Sequence, residues 1–315
     1  MKGAPGRERR SPGRRPAPPA PATQAPATQA PATRAPSMQA PSTSSTQAGP
    51  DRHRSRAFAL VYRDDDIVVV DKAPGVLTVP SPRRERFTLV DEVSRLLSKG
   101  PRITREAFVV HRLDRETSGI VVFACHRDAR DRLVAAWADH ERVYATLVHG
   151  VVRDDEATIR SRLVTDRRSL QRRSTGRDDV GEDALTFVRV DERLVDATLL
   201  SVRLGTGRRN QIRVHLAEAG HPVLGDERYG GSDRHPRWDD RRLGLHARLL
   251  AFAHPRTGAP LSFDTGLPVA FSRFVAATHA TTSPSGTQAR AGNGAMPAHG
   301  RGRSERPDNR PRRSR

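Results

Sequence analysis

Apolar positions along the middle of the chain fall into two rhythms. Ala57 to Tyr62 and Ile67 to Val70 are short apolar runs separated by the turn-forming Arg63-Asp64-Asp65-Asp66, which predicts two strands joined as a hairpin. Pro74 and Gly75 break the chain before a short strand over Val76 to Val79. Leu89, Val90, Val93, Leu96 and Leu97 then recur at helical spacing, with Thr88 placed to cap the helix and Gly100 to end it. A second helix is predicted from Asp128 to about His140, turning Leu133, Val134 and Trp137 inward. Strands are expected at Phe108 to Val110, Ile120 to Ala124 and Val143 to Val148, and Leu185 to Val190 should pair antiparallel with Ala197 to Leu204. A further helix from Asn210 to Gly220 would bury Ile212, Leu216 and Ala219. Hairpin signals outnumber crossovers, so the expected fold class is α+β, with a mixed, mainly antiparallel central sheet flanked by helices.

The two ends of the 315-residue chain follow neither rhythm. Residues 1–55 hold 11 of the 24 prolines, and from Pro21 to Pro41 a proline recurs at every fifth position. Such a stretch cannot bury enough apolar surface to fold. The expected organisation is therefore a disordered Pro/Ala/Thr-rich basic tail at 1–55, a catalytic-sized domain at 56–275, and a disordered Arg-rich tail at 276–315. Charge follows the same division. The first tail carries nine Lys/Arg against Glu8 and Asp51, and the second carries eight against Glu305 and Asp308, leaving only +6 of the net +19 on the 220 residues between them. A basic balance favours a polyanionic partner, most simply nucleic acid. Drift in tail composition explains the same excess, so the domain has to decide.

Composition removes several classes. Cys125 is the only cysteine, so an internal disulfide is impossible. No apolar run approaches the roughly 18 residues needed to span a bilayer, and a soluble protein of the cytoplasm is expected. Gly205-Thr206-Gly207 opens like a dinucleotide fingerprint, but Asn210 stands where the third glycine belongs. No Walker-type Gly-Lys-Ser/Thr occurs, so no nucleotide cofactor is expected. The histidines lack any His-Glu-x-x-His frame and the chain has no Cys-x-x-Cys, so no metal is expected either. A hydrolytic triad of Ser118, His111 and Asp114 would lack its Gly-x-Ser-x-Gly elbow.

Chemistry concentrates in two segments. His111-Arg112-Leu113-Asp114-Arg115-Glu116-Thr117-Ser118-Gly119 is a charged loop held between two apolar strands, where a sheet commonly displays reactive side chains. Taken alone, Asp114 reads as a turn or cap residue. The second segment runs from Arg203 to Gly230. On its predicted helix Arg213 lies beside the buried stripe, so its guanidinium should be partly desolvated and in need of a carboxylate or phosphate partner. Gln211 and His215 share another face, one turn apart.

Together, His111-Arg112-Leu113-Asp114, Thr117-Ser118-Gly119, Arg142-Val143-Tyr144-Ala145, Gly207-Arg208, Gln211-Ile212-Arg213-Val214-His215-Leu216 and Gly220-His221-Pro222 resemble the motifs of the RluA family of RNA pseudouridine synthases. Leu243-Gly244-Leu245-His246-Ala247 and His254-Pro255-Arg256-Thr257-Gly258 resemble its closing motifs, and the ordered matches span about residues 57–274. The resemblance implies that Asp114 is the catalytic aspartate, that Arg213 pairs with it, that Tyr144 stacks on the uracil, and that Arg112 helps evict the target nucleotide. Lys72, Arg112, Arg115, Arg208 and Gln211 are the expected RNA contacts, although Lys72 as surface and Tyr144 as core are ordinary alternatives. The chemistry implied is isomerisation of uridine without metal, redox step or outside atom, and thus without a cofactor. A carboxylate would act at the sugar or base while ionised, a state that a nearby arginine favours. The implied partner is a structured ribosomal or transfer RNA, acted on by a monomer. Two departures stand out: Arg209 and Asn210 replace a Thr/Ser and a His that usually precede Gln-Ile-Arg, and Ala73-Pro74-Gly75 shifts the usual proline after Lys72. The competing reading, from another class, is a non-catalytic RNA-binding or ribosome-assembly protein on the same fold.

Overall fold

A computed structural model describes residues 55–81, 87–98, 105–177, 179–231, 234–238 and 242–280. The two expected tails lie outside the described residues, except for Ser55 and residues 276–280. Strands β1 (Phe58–Arg63) and β2 (Ile67–Lys72) precede helix α1 (Leu89–Leu97), followed by β3 (Phe108–Val109), β4 (Ser118–Ala124), α2 (Arg127–Ala135) and β5 (Glu141–His149). After them come β6 (Glu156–Thr165), β7 (Arg172–Thr175), β8 (Glu182–Arg193), β9 (Ala197–Leu204), α3 (Gln211–Glu218), β10 (Leu245–Ala253), β11 (Pro260–Asp264) and α4 (Val269–Ala280).

All eleven strands form one sheet, ordered β1-β2-β4-β10-β5-β9-β8-β6-β7, with β3 added to β4 and β11 to β10. Only the β4–β10 contact is parallel; the other pairs are antiparallel, as the hairpin-rich pattern implies. The β1–β2 turn closes on Asp64, whose Oδ1 accepts the backbone N–H groups of Asp66 and Ile67 at 2.8 and 2.7 Å.

Strands β2 and β4 read as unbroken apolar runs because both their faces are covered. On one face Val68, Val70, Val121 and Phe123 pack with Leu89, Val93 and Leu97 of α1. On the other, Val69, Ile120 and Val122 pack with Ala129 and Leu133 of α2. Thr88 caps α1 as its position predicts, accepting from the Asp91 N–H.

Several elements differ from the sequence reading. No strand forms over Val76–Val79; a single bridge links Leu77 to Thr88, and the Thr78 hydroxyl is committed to another loop. Helix α2 stops at Ala135 and a 3-10 turn follows at Trp137–Asp139. Val134 is 42% exposed because it lies about 100° around the helix from Leu133, outside the Ala129/Leu133 stripe. Ala219 caps the end of α3 and is exposed, whereas Ile212 and Leu216 are buried as expected. Helix α4 continues to Ala280, past the expected domain end at 275, and buries Phe271, Phe274 and Thr278.

The parallel contact constrains the entry to β4. Gly119 faces Ala247 there with φ at +116°, and a Cβ on it would lie 2.6 Å from the Ala247 nitrogen and collide with its carbonyl oxygen. Backbone on one side and an unfavourable φ on the other leave no inexpensive adjustment. Gly119→Ala should therefore destabilise the fold by more than about 3 kcal/mol, read as a lowered urea midpoint; an unchanged midpoint would contradict this packing.

Candidate active site

The loop between β3 and β4 carries Asp114 and is fastened from below by the 72–78 turn. The Thr78 hydroxyl donates to the Leu113 carbonyl at 2.8 Å and accepts the Leu113 N–H at 3.1 Å. Lys72 Nζ and the Gly75 N–H both donate to the Arg115 carbonyl, at 3.0 and 2.9 Å. Leu113 is buried as the anchor of the loop. Asp114 is thereby held on a short, pinned segment instead of a free one.

Asp114 lies in a cleft of about 380 Å³ whose walls come from this loop, from β5 and from the 204–213 segment leading into α3. Its side chain is 25% exposed. Its Oδ2 accepts a hydrogen bond from Asn210 Nδ2 at 2.6 Å and lies 3.8 Å from Arg213 Nη1. Arg213 in turn grips Asp226 with two bonds of 2.7 Å, from Nε to Oδ2 and from Nη2 to Oδ1. The Asp226 side chain is fully buried, and its Oδ1 also accepts the N–H groups of Arg228 and Tyr229. The Tyr229 ring lies under the Arg213 guanidinium at 5.2 Å. Burial works against the charge of Arg213, but the bonds and charge of Asp226, with Asp114 behind them, outweigh it and raise the arginine above its ordinary range.

Sequence reasoning expects Arg213 to be half-buried and in need of an anion, and the structure places it so. It does not foresee that the hydrogen-bonded partner is Asp226, with Asp114 as the looser second carboxylate. Asn210 is a further residue missed. It sits at the N-cap of α3 with left-handed φ of 56°, a region asparagine tolerates, and caps nothing with its side chain, which reaches Asp114 instead.

Tyr144 on β5 lines the same cleft, and burial pushes its phenol up to about 12, so it stays protonated at neutral pH. Arg112 and Arg208 are exposed at the cleft walls; Arg208 also donates to the Asp183 carbonyl. Arg115 is exposed and does not line the cleft.

Two expected RNA contacts, Lys72 and Gln211, are buried and hydrogen-bonded within the protein. Lys72 is 1% exposed and gives its three donors to the carbonyls of Ala73, Val76 and Arg115, leaving none for a phosphate. Burial pushes its ammonium down to about 7, against the pull of Glu116, Asp114 and Asp71. Gln211 is likewise spent internally. Its Oε1 accepts from Thr206 Oγ1 and the Arg208 N–H, and its Nε2 donates to the Leu185 carbonyl and Thr186 Oγ1. Gln211 lines the cleft and Lys72 does not, and the polar groups of both are engaged by the protein itself. His215 shares the Gln211 face and meets the same Thr186 hydroxyl at 2.8 Å.

Ser118 bonds to His246, and His111 Nε2 accepts the Val122 N–H, so no Ser-His-Asp relay forms around Asp114. Among the described residues, Asp64, Asp66 and His254 bring metal-ligating atoms within 4.8 Å of one another. Their oxygens are already taken by Tyr62, His126, His254 and Arg256, and none of the three lines the cleft.

A family model described as RNA pseudouridylate synthase matches residues 66–218. The chain is 35% identical over 215 residues to the uncharacterized RNA pseudouridine synthase YlyB of Bacillus subtilis, covering 66% of this chain and 69% of that protein. It is also 35% identical over 226 residues to the ribosomal large subunit pseudouridine synthase D of Pseudomonas aeruginosa, covering 67% and 69%. Its fold matches that of human RNA pseudouridylate synthase domain containing 4 with a TM-score of 0.58 over 70% of this chain and 92% of that one, at 20% identity. The chain belongs to the RluA family of RNA pseudouridine synthases, enzymes that isomerise uridine within RNA. Among the described residues no helix is long and apolar enough to cross a membrane.

The buried Arg213–Asp226 pair makes a direct stability prediction. Asp226→Asn leaves a buried guanidinium short of its counter-charge, and breaking such a pair costs about 3–5 kcal/mol. Urea unfolding should show that loss together with slowed pseudouridine formation; wild-type stability would contradict the pairing.

Proposed function

We propose that Asp114 is the catalytic carboxylate of this enzyme and acts on a uridine flipped out of structured RNA into the cleft, with large-subunit ribosomal RNA as the substrate. The observation that carries the reading is the chain Asp114–Arg213–Asp226, which sets a cation behind one partly exposed carboxylate at the floor of a nucleotide-sized space. The proposed choice of RNA rests on the similarity to a protein named as a ribosomal large subunit pseudouridine synthase.

Isomerisation breaks the bond from ribose C1′ to uracil N1, turns the base and forms a bond from C1′ to C5. The C5 proton is released and N1 takes up a proton from solvent, so the product has the same composition as the substrate. A carboxylate can serve at the sugar or the base, as carboxylates do in glycosyl chemistry. Asn210 and Arg213 both address Oδ2 of Asp114, which leaves Oδ1 as the oxygen offered to the substrate. The π-face of Tyr144 would hold the base while it turns. A base extruded from a stack must be replaced by contacts worth a few kcal/mol, and Arg112, exposed at the wall beside Asp114, would fill the vacated position. Arg208 and Arg115 would meet backbone phosphates.

An Asp114→Asn chain should retain RNA affinity within about threefold, since affinity is set mainly by phosphate contacts, yet form no pseudouridine. Mapping pseudouridines in a strain lacking the gene and carrying either form tests both halves of the proposal. Sites in large-subunit ribosomal RNA should return with the wild-type chain and stay absent with Asp114→Asn. Restoration by the variant would reject the catalytic role and favour a non-catalytic RNA-binding protein; sites confined to transfer RNA would reject the substrate.

A further inference from the structure

Arg142 and Tyr144 stand two residues apart on β5, so both side chains project from the same face of the sheet, and both line the cleft that holds Asp114. The environment of Arg142 is unusual for a cation. It is only 7% exposed, its Nε is buried without a hydrogen-bond partner, and its Nη2 makes one long bond, 3.4 Å, to the Leu204 carbonyl. No carboxylate among the described residues pairs with it. The other arginines buried to this degree, Arg172 and Arg213, hold Glu182 and Asp226 at 2.6 and 2.7 Å.

The groups around Arg142 cannot supply the missing charge. Trp137 offers a ring face at 5.4 Å, a partial compensation only. Burial, with the positive charge of Arg142 adding to it, pushes His111 down to about 3 and His140 down to about 4, so both imidazoles are neutral at physiological pH. Burial likewise lowers Arg142 itself, without bringing it near neutrality, since a guanidinium keeps its proton in proteins. The loop above it is shaped to leave room: a Cβ on Gly207 would lie 3.0 Å from Nη1, tighter than the guanidinium could accept without moving. An uncompensated buried cation is costly unless something that binds later completes it.

We propose that Arg142 is a binding residue for the phosphodiester of the flipped uridine, so that the substrate supplies the counter-charge the protein omits. The proposal rests on the reading of the cleft as an RNA uridine site. A phosphate satisfies the observations better than a uracil carbonyl does. It brings a full negative charge, it accompanies every nucleotide that enters, and its oxygens suit the planar fork of a guanidinium. Arg142 would thus admit only a nucleotide drawn in far enough to bring its backbone into the cleft, linking base flipping to binding.

The test uses full-length chain in an Asp114→Asn background, so that RNA binds without being converted, and an in vitro transcribed large-subunit ribosomal RNA as the probe. Binding is measured across a salt series with Arg142 retained, with Arg142→Lys, and with Arg142→Met. Loss of one phosphate contact should lower the slope of log K against log salt by about 0.7–0.9, with at least about tenfold weaker binding for Arg142→Met; Arg142→Lys should keep the slope. In the absence of RNA, Arg142→Met should also raise the thermal midpoint, because it removes an unpaired buried charge while keeping much of the side-chain volume. An unchanged slope would overturn the assignment. So would an Arg142→Met chain that unfolds more easily or fails to fold, which marks a structural arginine. If the Arg142-retaining chain binds no RNA at all, the reading of the cleft fails and this assignment with it, an outcome distinct from equal binding by all three forms.

Discussion

A buried guanidinium is costly unless carboxylates meet it, and the cleft that holds Asp114 is arranged around one such meeting. Arg213 is held by two bonds to a fully buried Asp226, which is itself fixed by the N–H groups of Arg228 and Tyr229. With those donors committed, the orientation of Arg213 is set before substrate arrives, and its remaining nitrogen, Nη1, faces Asp114 at 3.8 Å. On the proposed reading the looser contact is the functional one: a carboxylate locked into a bidentate pair would be poorly free to react, whereas a carboxylate beside an already satisfied cation keeps both its charge and its reach. Preorganisation of this kind costs nothing at the moment of reaction.

The sheet brings the parts together across strands that are distant in sequence. The loop carrying Asp114 enters β4, β10 lies beside β4, β5 with Arg142 and Tyr144 comes next, and β9 leads into α3 with Asn210 and Arg213. Buried polar residues then stiffen the frame. Lys72 ties the 73–76 turn to the Asp114 loop, and Gln211 folds the 206–210 loop onto β8. The electrostatic pattern is uneven: among the described residues, Arg213 is doubly matched by carboxylates and another arginine, Arg142, is matched by none.

Much of this was legible in the chain, and the gaps have physical causes. Strands β2, β4, β5 and β9 and helix α1 announce themselves because their apolar faces are continuous. Strands β6 and β7 do not, since they close one edge of the sheet and alternate arginines with small polar residues over a largely exposed surface. Helix α3 offers a desolvated arginine, but its partner lies thirteen residues on, in a turn where Asp226 looks like any turn aspartate. Asn210 looks like a departure from the motif until the left-handed backbone aims its amide at Asp114. Lys72 and Gln211 are polar residues in motif positions, and polarity alone does not tell a ligand contact from a buried brace; the apolar strand leading to Lys72 was the available hint.

The claim that geometry at Arg213, beyond its charge, keeps Asp114 competent is tested most directly by single-turnover pseudouridine formation with Arg213→Lys. Lysine preserves the positive charge but cannot hold Asp226 with a planar fork while presenting a second donor to Asp114. The rate at saturating protein should fall by about a hundredfold, the scale associated with an ångström of misplacement, with RNA affinity little changed. A rate near that of the wild-type chain would show that a nearby charge suffices and that the Asp226 clamp is incidental to the reaction.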